Sequence, residues 1–327
     1  MEKTSIIIPV RNRREITLSM LKELQRQIDS LSSNKISVIV VDDASTDGTG
    51  DMVVSNFPDF HLLRGNGSLW WTGSICRGME YSMGKLEADY ILWLNDDCTL
   101  KDDFIVNLIK ICAAKDSSEI LVGGIIRERS NLSWIVFGGF RNHKPIRDMK
   151  TFSEEVGISV DTINGNIALI PRKIIDEIGF PDEKKFKHYG GDYEYGLRAK
   201  KKGFKIVLTQ NLQGTVDYTI SDCIRYMPLQ MQWYFAENWL VRLNVIRKLT
   251  SLKSKFNIWQ TVNMVYADVD SVSFWVYLSY YLHQIAKFLV SDFLFYEKNK
   301  KDFDVIASEE NFPDAIIESI KKKRMRF

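Results

Sequence analysis

Asp96 and Asp97 stand side by side just after the apolar run Tyr90-Ile91-Leu92-Trp93-Leu94. Adjacent carboxylates repel each other more strongly as water is excluded, so the pair favours a cation or a very wet loop. A hard divalent ion such as Mg2+ or Mn2+, held by one or two carboxylates with substrate phosphate oxygens completing its shell, suits them. The plainer reading is a turn and a cap ahead of a helix over residues 101–114. Asp42 and Asp43 form a second pair after the apolar run 36–41. Acids at a strand end repel phosphate but accept hydrogen bonds from a nucleobase N–H or ribose hydroxyls; otherwise they make a turn before a helix starting near Asp47. A third acid, Asp192, lies in Tyr189-Gly190-Gly191-Asp192-Tyr193-Glu194. Two glycines let backbone approach a ligand closely, and Asp192 and Glu194 open a helix that ends near Gly203, where an acid also serves as a plain N-cap.

The elements that position these acids follow from the apolar pattern. Runs that are apolar at successive positions are buried on both faces, as in a parallel sheet covered by helices. The acids then fall at C-terminal strand ends, where open α/β sheets place ligands. Residues 4–10 read as a strand, 14–30 as a helix burying Ile16, Met20, Leu21, Leu24 and Ile28, and 36–41 as a strand, which makes a right-handed βαβ unit. No Gly-x-Gly-x-x-Gly follows the first strand, so the dinucleotide fingerprint is missing. A strand over 60–63 leads through Gly65, Gly67, Trp70, Trp71 and Thr72 to a helix over 74–84; the tryptophans make either a packed corner or a lip over a crevice. Strands follow over 120–126 and 134–137, then a polar surface loop over 141–153. Asn164-Gly165-Asn166 enters a strand over 162–170, Pro171 starts a helix, 204–208 returns as a strand, and Asp217 lies on the loop beyond.

The 327 residues, 45% of them hydrophobic, give room for one large domain or one and a half with a real core. With 44 basic and 42 acidic side chains the net charge of +2 exerts no global pull on nucleic acid. The four cysteines show no C-x-x-C pair or metal spacing, which fits a reduced cytoplasmic compartment. The N-terminal apolar run is too short for a signal peptide, and no later segment spans a membrane. Beyond about Cys223 aromatic-rich helices take over, including an amphipathic one over 274–293 with Phe274, Leu278, Tyr281, Ile285 and Phe288 on one side. These helices and the basic tip Lys321–Phe327 either lie on an anionic membrane surface or form a cap or a homodimer face.

Four stretches in order, Ser-Ile-Ile-Ile-Pro-Val-Arg-Asn at 5–12, Val-Val-Asp-Asp-Ala-Ser-Thr-Asp-Gly-Thr at 40–49, Asn-Asp-Asp at 95–97 and Gly-Gly-Asp-Tyr-Glu-Tyr-Gly-Leu-Arg-Ala at 190–199, resemble the family 2 glycosyltransferases. Gly-Asn-Gly-Ser-Leu-Trp-Trp-Thr-Gly at 65–73 resembles a bacterial branch labelled rhamnosyltransferase-like. The resemblance spans roughly residues 3–220. It implies a GT-A fold, a Rossmann-like, mostly parallel sheet flanked by helices, over residues 1–220, with a C-terminal helical extension over 221–327. It further implies a nucleotide pocket lined by Pro9, Val10, Asn12, Asp42 and Asp43, with Asp43 facing the base N–H and Asp96 the ribose or metal shell. Asp97 is the implied ligand of Mg2+ or Mn2+ and Asp192 the implied catalytic base. Trp70, Trp71, Thr72, Asn164, Gly165, Gly191, Glu194 and Arg198 are expected around donor and acceptor.

Three departures bear on this. Arg11 stands where the family often has Tyr, Gly191 replaces the Glu that commonly precedes the base, and Asp217 takes the place of a metal-binding His. The Gln-x-x-Arg-Trp motif of processive synthases is missing, so a single addition per encounter is expected. The expected activity is inverting transfer of one sugar from a UDP- or dTDP-sugar to a glycan or lipid-linked glycan in bacterial surface polysaccharide synthesis, in the cytoplasm or at the inner face of the membrane. The alternative is a non-catalytic subunit of the same fold that binds sugar nucleotide or glycan. A nucleotidyltransferase is disfavoured because Pro9-Val10-Arg11-Asn12 contains no glycine.

Overall fold

Ile6, Ile7 and Ile8 point alternately to the two faces of β1 (Thr4–Val10), and all three are wholly buried, as a strand covered on both sides requires. The structure, a computed structural model, describes residues 2–31, 35–152, 156–236, 238–269, 271–294, 296–310 and 312–324. It divides into two units, Met1–Lys187 with Gly191–Val216, and His188–Gly190 with Asp217–Phe327.

In the first unit β1 is followed by α1 (Arg14–Asp29), β2 (Ile36–Asp42), α2 (Thr49–Asn56), β3 (His61–Arg64), α3 (Trp70–Tyr81), β4 (Tyr90–Leu94), β5 (Thr99–Leu100), α4 (Phe104–Cys112) and β6 (Ile120–Glu128). Then come β7 (Ile135–Phe137), β8 (Gly139–Arg141), β9 (Lys144–Pro145), β10 (Gly157–Ser159), β11 (Thr162–Ile163), β12 (Ile167–Pro171), α5 (Arg172–Ile178), α6 (Gly191–Lys201) and β13 (Lys205–Val216). The main sheet runs β10-β13-β6-β12-β4-β1-β2-β3, and β8, β9 and β11 form a small second sheet. β1 pairs in parallel with β2 and β4, whereas β12 lies antiparallel to β4 and β6. The C-terminal ends of β1, β2 and β4 therefore share one edge with the N-terminal start of β12.

Helices cover both faces. α1, α2 and α4 supply Met20, Leu21, Leu24, Met52, Val53, Phe104 and Leu108 to one core layer, with Ile6, Ile8, Val38 and Val40 beneath them. α3, α5 and α6 supply Ile75, Met79, Ile174, Ile175, Tyr195 and Ala199 to the other, over Ile7, Ile39, Ile91 and Trp93.

In this unit the structure corrects three expectations. Ile16 is exposed, and the buried face of α1 is instead Thr17, Met20, Leu21, Leu24 and Gln27; Gln27 accepts from Ile105 N–H (3.1 Å) and donates to the Lys101 carbonyl (3.0 Å). Residues 141–152 are more ordered than a plain loop: β8 and β9 turn through Asn142 and His143, both with positive φ, and a 3-10 turn over Met149–Phe152 buries Phe152, while Ser153 lies outside the described residues. α3 begins at Trp70, several residues earlier than expected.

The second unit is helical in its described residues: α7 (Ile220–Tyr226), α8 (Leu229–Tyr234), α9 (Trp239–Arg247), α10 (Ile258–Val265), α11 (Phe274–Leu294), α12 (Tyr296–Glu309) and α13 (Asp314–Arg324). A Thr219/Asp222 capping box starts α7, and Asn257 caps α10. The core joins Leu229, Trp233, Val245, Leu249, Ile258 and Phe288, with Trp233 stacked on Phe288 at 5.3 Å. α11 packs Tyr277, Tyr280, Tyr281 and Ile285 against this cluster, but Phe274, expected on the packed side, is exposed. His188 is held neutral by burial and by Lys253 and Arg225, which push its pKa down to about 4. In the basic tip Lys321 pairs with Asp304 and Lys322 with Glu318, while Met325, Arg326 and Phe327 lie outside the described residues. Among the described residues no helix is long and apolar enough to cross a membrane.

Candidate active site

Four chain segments meet at the shared sheet edge, and hydrogen bonds run between them. At the ends of β1 and β2, Asp43 N–H donates to the Val10 carbonyl (3.0 Å), beside Pro9. Asn12, in the left-handed region (φ 51), ties this end to the next loop: its N–H donates to Ser45 Oγ (2.8 Å) and its Oδ1 accepts from Thr46 N–H (2.7 Å). Asp42 accepts from Ser45 N–H (2.9 Å), the turn reading of that residue.

Asp43 does more than turn the chain. Its carboxylate, 3% exposed, accepts from Gly67 N–H (2.7 Å) and Trp70 N–H (3.0 Å) and lies 3.4 Å from Arg11 Nη1, which also donates to the Gly67 carbonyl (2.5 Å). Arg11, standing where the family often has Tyr, thus helps Asp43 fasten the 65–70 loop. Ala44 and Trp70 are left-handed as well (φ 56 and 57). Non-glycine residues held there cost on the order of 1–3 kcal/mol each, and such strain clusters at functional sites.

From Trp70 the line continues across the sheet. Trp71 Nε1 donates to Asn95 Oδ1 (2.8 Å), and Asn95 Nδ2 donates to Asn166 Oδ1 (3.1 Å). Gly165 N–H donates to Asp192 Oδ2 (2.7 Å), and Tyr193 N–H to Asp192 Oδ1 (2.9 Å). Asn164 orients this entry to β12 by accepting Asn166 N–H (3.1 Å). Burial pushes the Asp192 carboxyl above the ordinary aspartate range, and the N–H groups of Gly165, Tyr193 and Asp192 itself partly offset this. Each carboxylate oxygen thus accepts a backbone N–H, Oδ2 from Gly165 and Oδ1 from Tyr193.

Glycines decide how closely these pieces approach. A Cβ on Gly165 would stand 2.5 Å from the Trp71 ring and 2.9 Å from Asp192 Cβ. A Cβ on Gly191 would stand 2.8 Å from Thr72 Oγ1, so the seat of α6 against α3 has no space for the family's usual Glu there without a shift of Thr72. Glu194 and Arg198 pair with each other (2.8 Å), and Arg198 also donates to the carbonyls of Ile178 and Phe180, which ties α6 to the end of α5.

The Asp96/Asp97 pair is charge-compensated by Arg13, whose Nη1 lies 3.2 Å from Asp96 and whose Nη2 lies 3.2 Å from Asp97. Thr17 Oγ1 donates to Asp96 from below (2.6 Å). Burial raises the Asp96 pKa to about 6, against the pull of Arg13 and Thr17. Asp97, 40% exposed, is the accessible member. Among the described residues no three His, Cys, Asp or Glu side chains converge on a metal position. The donor set therefore fits an open site, in which one or two carboxylates hold Mg2+ or Mn2+ and substrate oxygens supply the rest, and does not fit a closed protein cage. Asp217, the expected further ligand, directly follows β13 and opens the second unit.

Arg13, Thr17, Asn95 and Asn166 escaped the reading of the sequence as site residues. Asn95 and Asn166 had a signal, being amide side chains at strand boundaries beside chosen positions. Arg13 and Thr17 had none, since they reach the acids only through the packing of α1.

A mostly parallel, helix-flanked sheet that gathers acids at the ends of β2 and β4 is the GT-A architecture. The chain belongs to glycosyl transferase family 2, whose sequence profile matches residues 5–179. Similar solved folds include GalNAc-T7 with UDP, GalNAc and Mn2+, at 14% identity and a TM-score of 0.52 over 68% of this chain and 44% of that one. The mannosyltransferase PcManGT from Pyrobaculum calidifontis, in complex with GDP-Man and Mn2+, is 12% identical with a TM-score of 0.50 over 99% of this chain and 87% of that one. At these identities the likeness is one of fold, and this chain spans less than half the length of GalNAc-T7. No curated protein sequence matches the chain.

Proposed function

We propose that this protein is an inverting, non-processive glycosyltransferase that moves one sugar from a nucleotide-diphosphate donor to a hydroxyl of a glycan or lipid-linked glycan. The observation that carries the reading is the hydrogen-bonded line from Asp43 through Trp70, Trp71, Asn95, Asn166 and Gly165 to Asp192 along one sheet edge. The nucleotide lies at the Pro9, Val10, Asn12 and Asp42/Asp43 end, and the acceptor at the Asp192 end. Asp192, with its raised pKa, takes the proton from the acceptor hydroxyl as that oxygen bonds to the anomeric carbon; the donor's carbon–oxygen bond breaks and the diphosphate leaves with the electron pair. Asp97, with Asp96 behind it, would hold Mg2+ or Mn2+, which when bound supplies charge neutralisation to the leaving diphosphate. A panel of UDP-, dTDP- and GDP-sugars with and without Mn2+ tests this by thermal shift. The true donor at a hundred times its Kd stabilises the fold by about 2.7 kcal/mol. A panel in which no nucleotide sugar raises the melting temperature would overturn the reading.

The second unit suits peripheral contact with an anionic membrane in the cytoplasm. Trp239, Leu240 and Leu243 on α9 and Trp275 on α11 are exposed, and Arg242, Arg247, Lys248, Lys253 and Lys255 accompany them. Exposed aromatic and aliphatic side chains among basic ones favour the interface of anionic lipids. In flotation with phosphatidylglycerol vesicles the full chain is expected to bind, and the double substitution Trp239→Ser/Leu240→Ser to reduce partitioning at least about tenfold, given roughly 1.5–3 kcal/mol per buried apolar side chain. Equal partitioning of the two proteins, or a concentration-dependent dimer that the double substitution dissociates, counts against the membrane role.

A further inference from the structure

Arg13 closes on both acids of the candidate cation site with one planar guanidinium, a different nitrogen on each carboxylate at 3.2 Å. Its backbone is fixed where the chain enters α1: its N–H donates to Thr49 Oγ1 (3.4 Å) and its carbonyl accepts from Thr17 N–H (2.9 Å). Asp96 is 2% exposed and held from below by Thr17. The Arg13 side chain is 35% exposed and Asp97 40%, so the mobile half of the arrangement is the guanidinium and its contact with Asp97.

We infer that Arg13 is a built-in counter-ion, which a divalent cation must displace from Asp97 before it can bind. This rests on the reading of Asp96 and Asp97 as the metal-holding pair. Two cations a few ångströms apart in a partly buried site repel each other, so guanidinium and metal compete for the same negative charge. The apparent affinity of the free protein for the metal is the intrinsic affinity multiplied by the fraction of molecules in which Arg13 has left. A donor diphosphate supplies the displaced guanidinium with a new anionic partner. Donor and cation thereby strengthen each other's binding, and by linkage they do so equally.

The test counts free Mn2+ by electron paramagnetic resonance while the full-length protein is titrated at pH 8 without any nucleotide. Wild type, Arg13→Lys and Arg13→Gln are compared, each with a thermal melt. Arg13→Gln is expected to bind Mn2+ at least about tenfold more tightly than wild type, since it removes the competing charge. Arg13→Lys, which keeps the charge but loses the two-pronged fork, falls between them. A merely structural arginine would not improve metal binding when removed. Equal or weaker Mn2+ binding by a folded Arg13→Gln overturns the proposal, as does no Mn2+ binding by any of the three proteins. If Arg13→Gln does not fold, Arg13→Lys carries the test, and equality with wild type overturns it. No donor or acceptor enters the measurement, so this inference and the transferase reading can fail separately.

Discussion

Asp192→Asn is expected to lower donor turnover, measured as nucleoside diphosphate release with water or glycan as acceptor, by about 100- to 10,000-fold, the usual contribution of a general base. Donor affinity is expected to stay within a few-fold, because the residues proposed to hold the nucleotide lie at the far end of the hydrogen-bonded line. The substitution keeps the volume but not the acceptors. Asp192 accepts one backbone N–H on each oxygen, from Gly165 and from Tyr193. An amide offers one oxygen, so in either orientation its NH2 group faces one of those donors. An unsatisfied buried donor costs roughly 1–3 kcal/mol. Against that, burial disfavours the carboxylate's charge, and a neutral amide carries no such penalty. The two effects oppose, so the melting temperature is expected to move little while turnover collapses. Turnover equal to wild type would remove Asp192 from the chemistry. A large drop in melting temperature with a proportionate loss of donor binding would make it a structural residue.

What the sequence disclosed and what it withheld divide along the sheet. The acids at the ends of β2 and β4 were legible because each follows a run buried on both faces, and such a run fixes where a strand ends. Asp192 was legible from the glycines before it and from the resemblance. The partners were not. Asp43 meets the N–H groups of Gly67 and Trp70 because the loop after β3 folds back over the end of β2, and Asn95 meets Asn166 because β12 inserts antiparallel between β4 and β6. No local periodicity announces an antiparallel insertion. Helix faces misled for a related reason. Thr17 and Gln27, which apolar spacing left off the packed face of α1, are buried there because Asp96 needs a donor and the start of α4 needs an acceptor. Ile16 and Phe274, chosen by spacing alone, are exposed.

Gly165→Ala should do nearly as much damage with one methyl group. The added carbon would lie 2.5 and 2.6 Å from two atoms of the Trp71 ring and 2.9 Å from Asp192 Cβ. Neither neighbour yields easily. The Trp71 indole is held edge-on to Trp93 at 5.7 Å and hydrogen-bonded to Asn95, and Asp192 sits in the first turn of α6, where Gly191 already leaves no space against Thr72. Overpacking of this kind typically costs about 1–3 kcal/mol. In a domain of this size that is roughly 2–12 °C of melting temperature. The kinetic effect is larger, because the Gly165 N–H that holds the carboxylate must move with its Cα. Displacing a catalytic group by about 1 Å is enough to lose on the order of 100-fold. Gly84→Ala, where an added Cβ meets nothing within 4 Å, is the matched control and should leave both quantities unchanged. If Gly165→Ala melts and turns over like that control, Trp71 and Asp192 are not held in register by contact across Gly165, and the line joining the two ends of the site is looser than its hydrogen bonds imply.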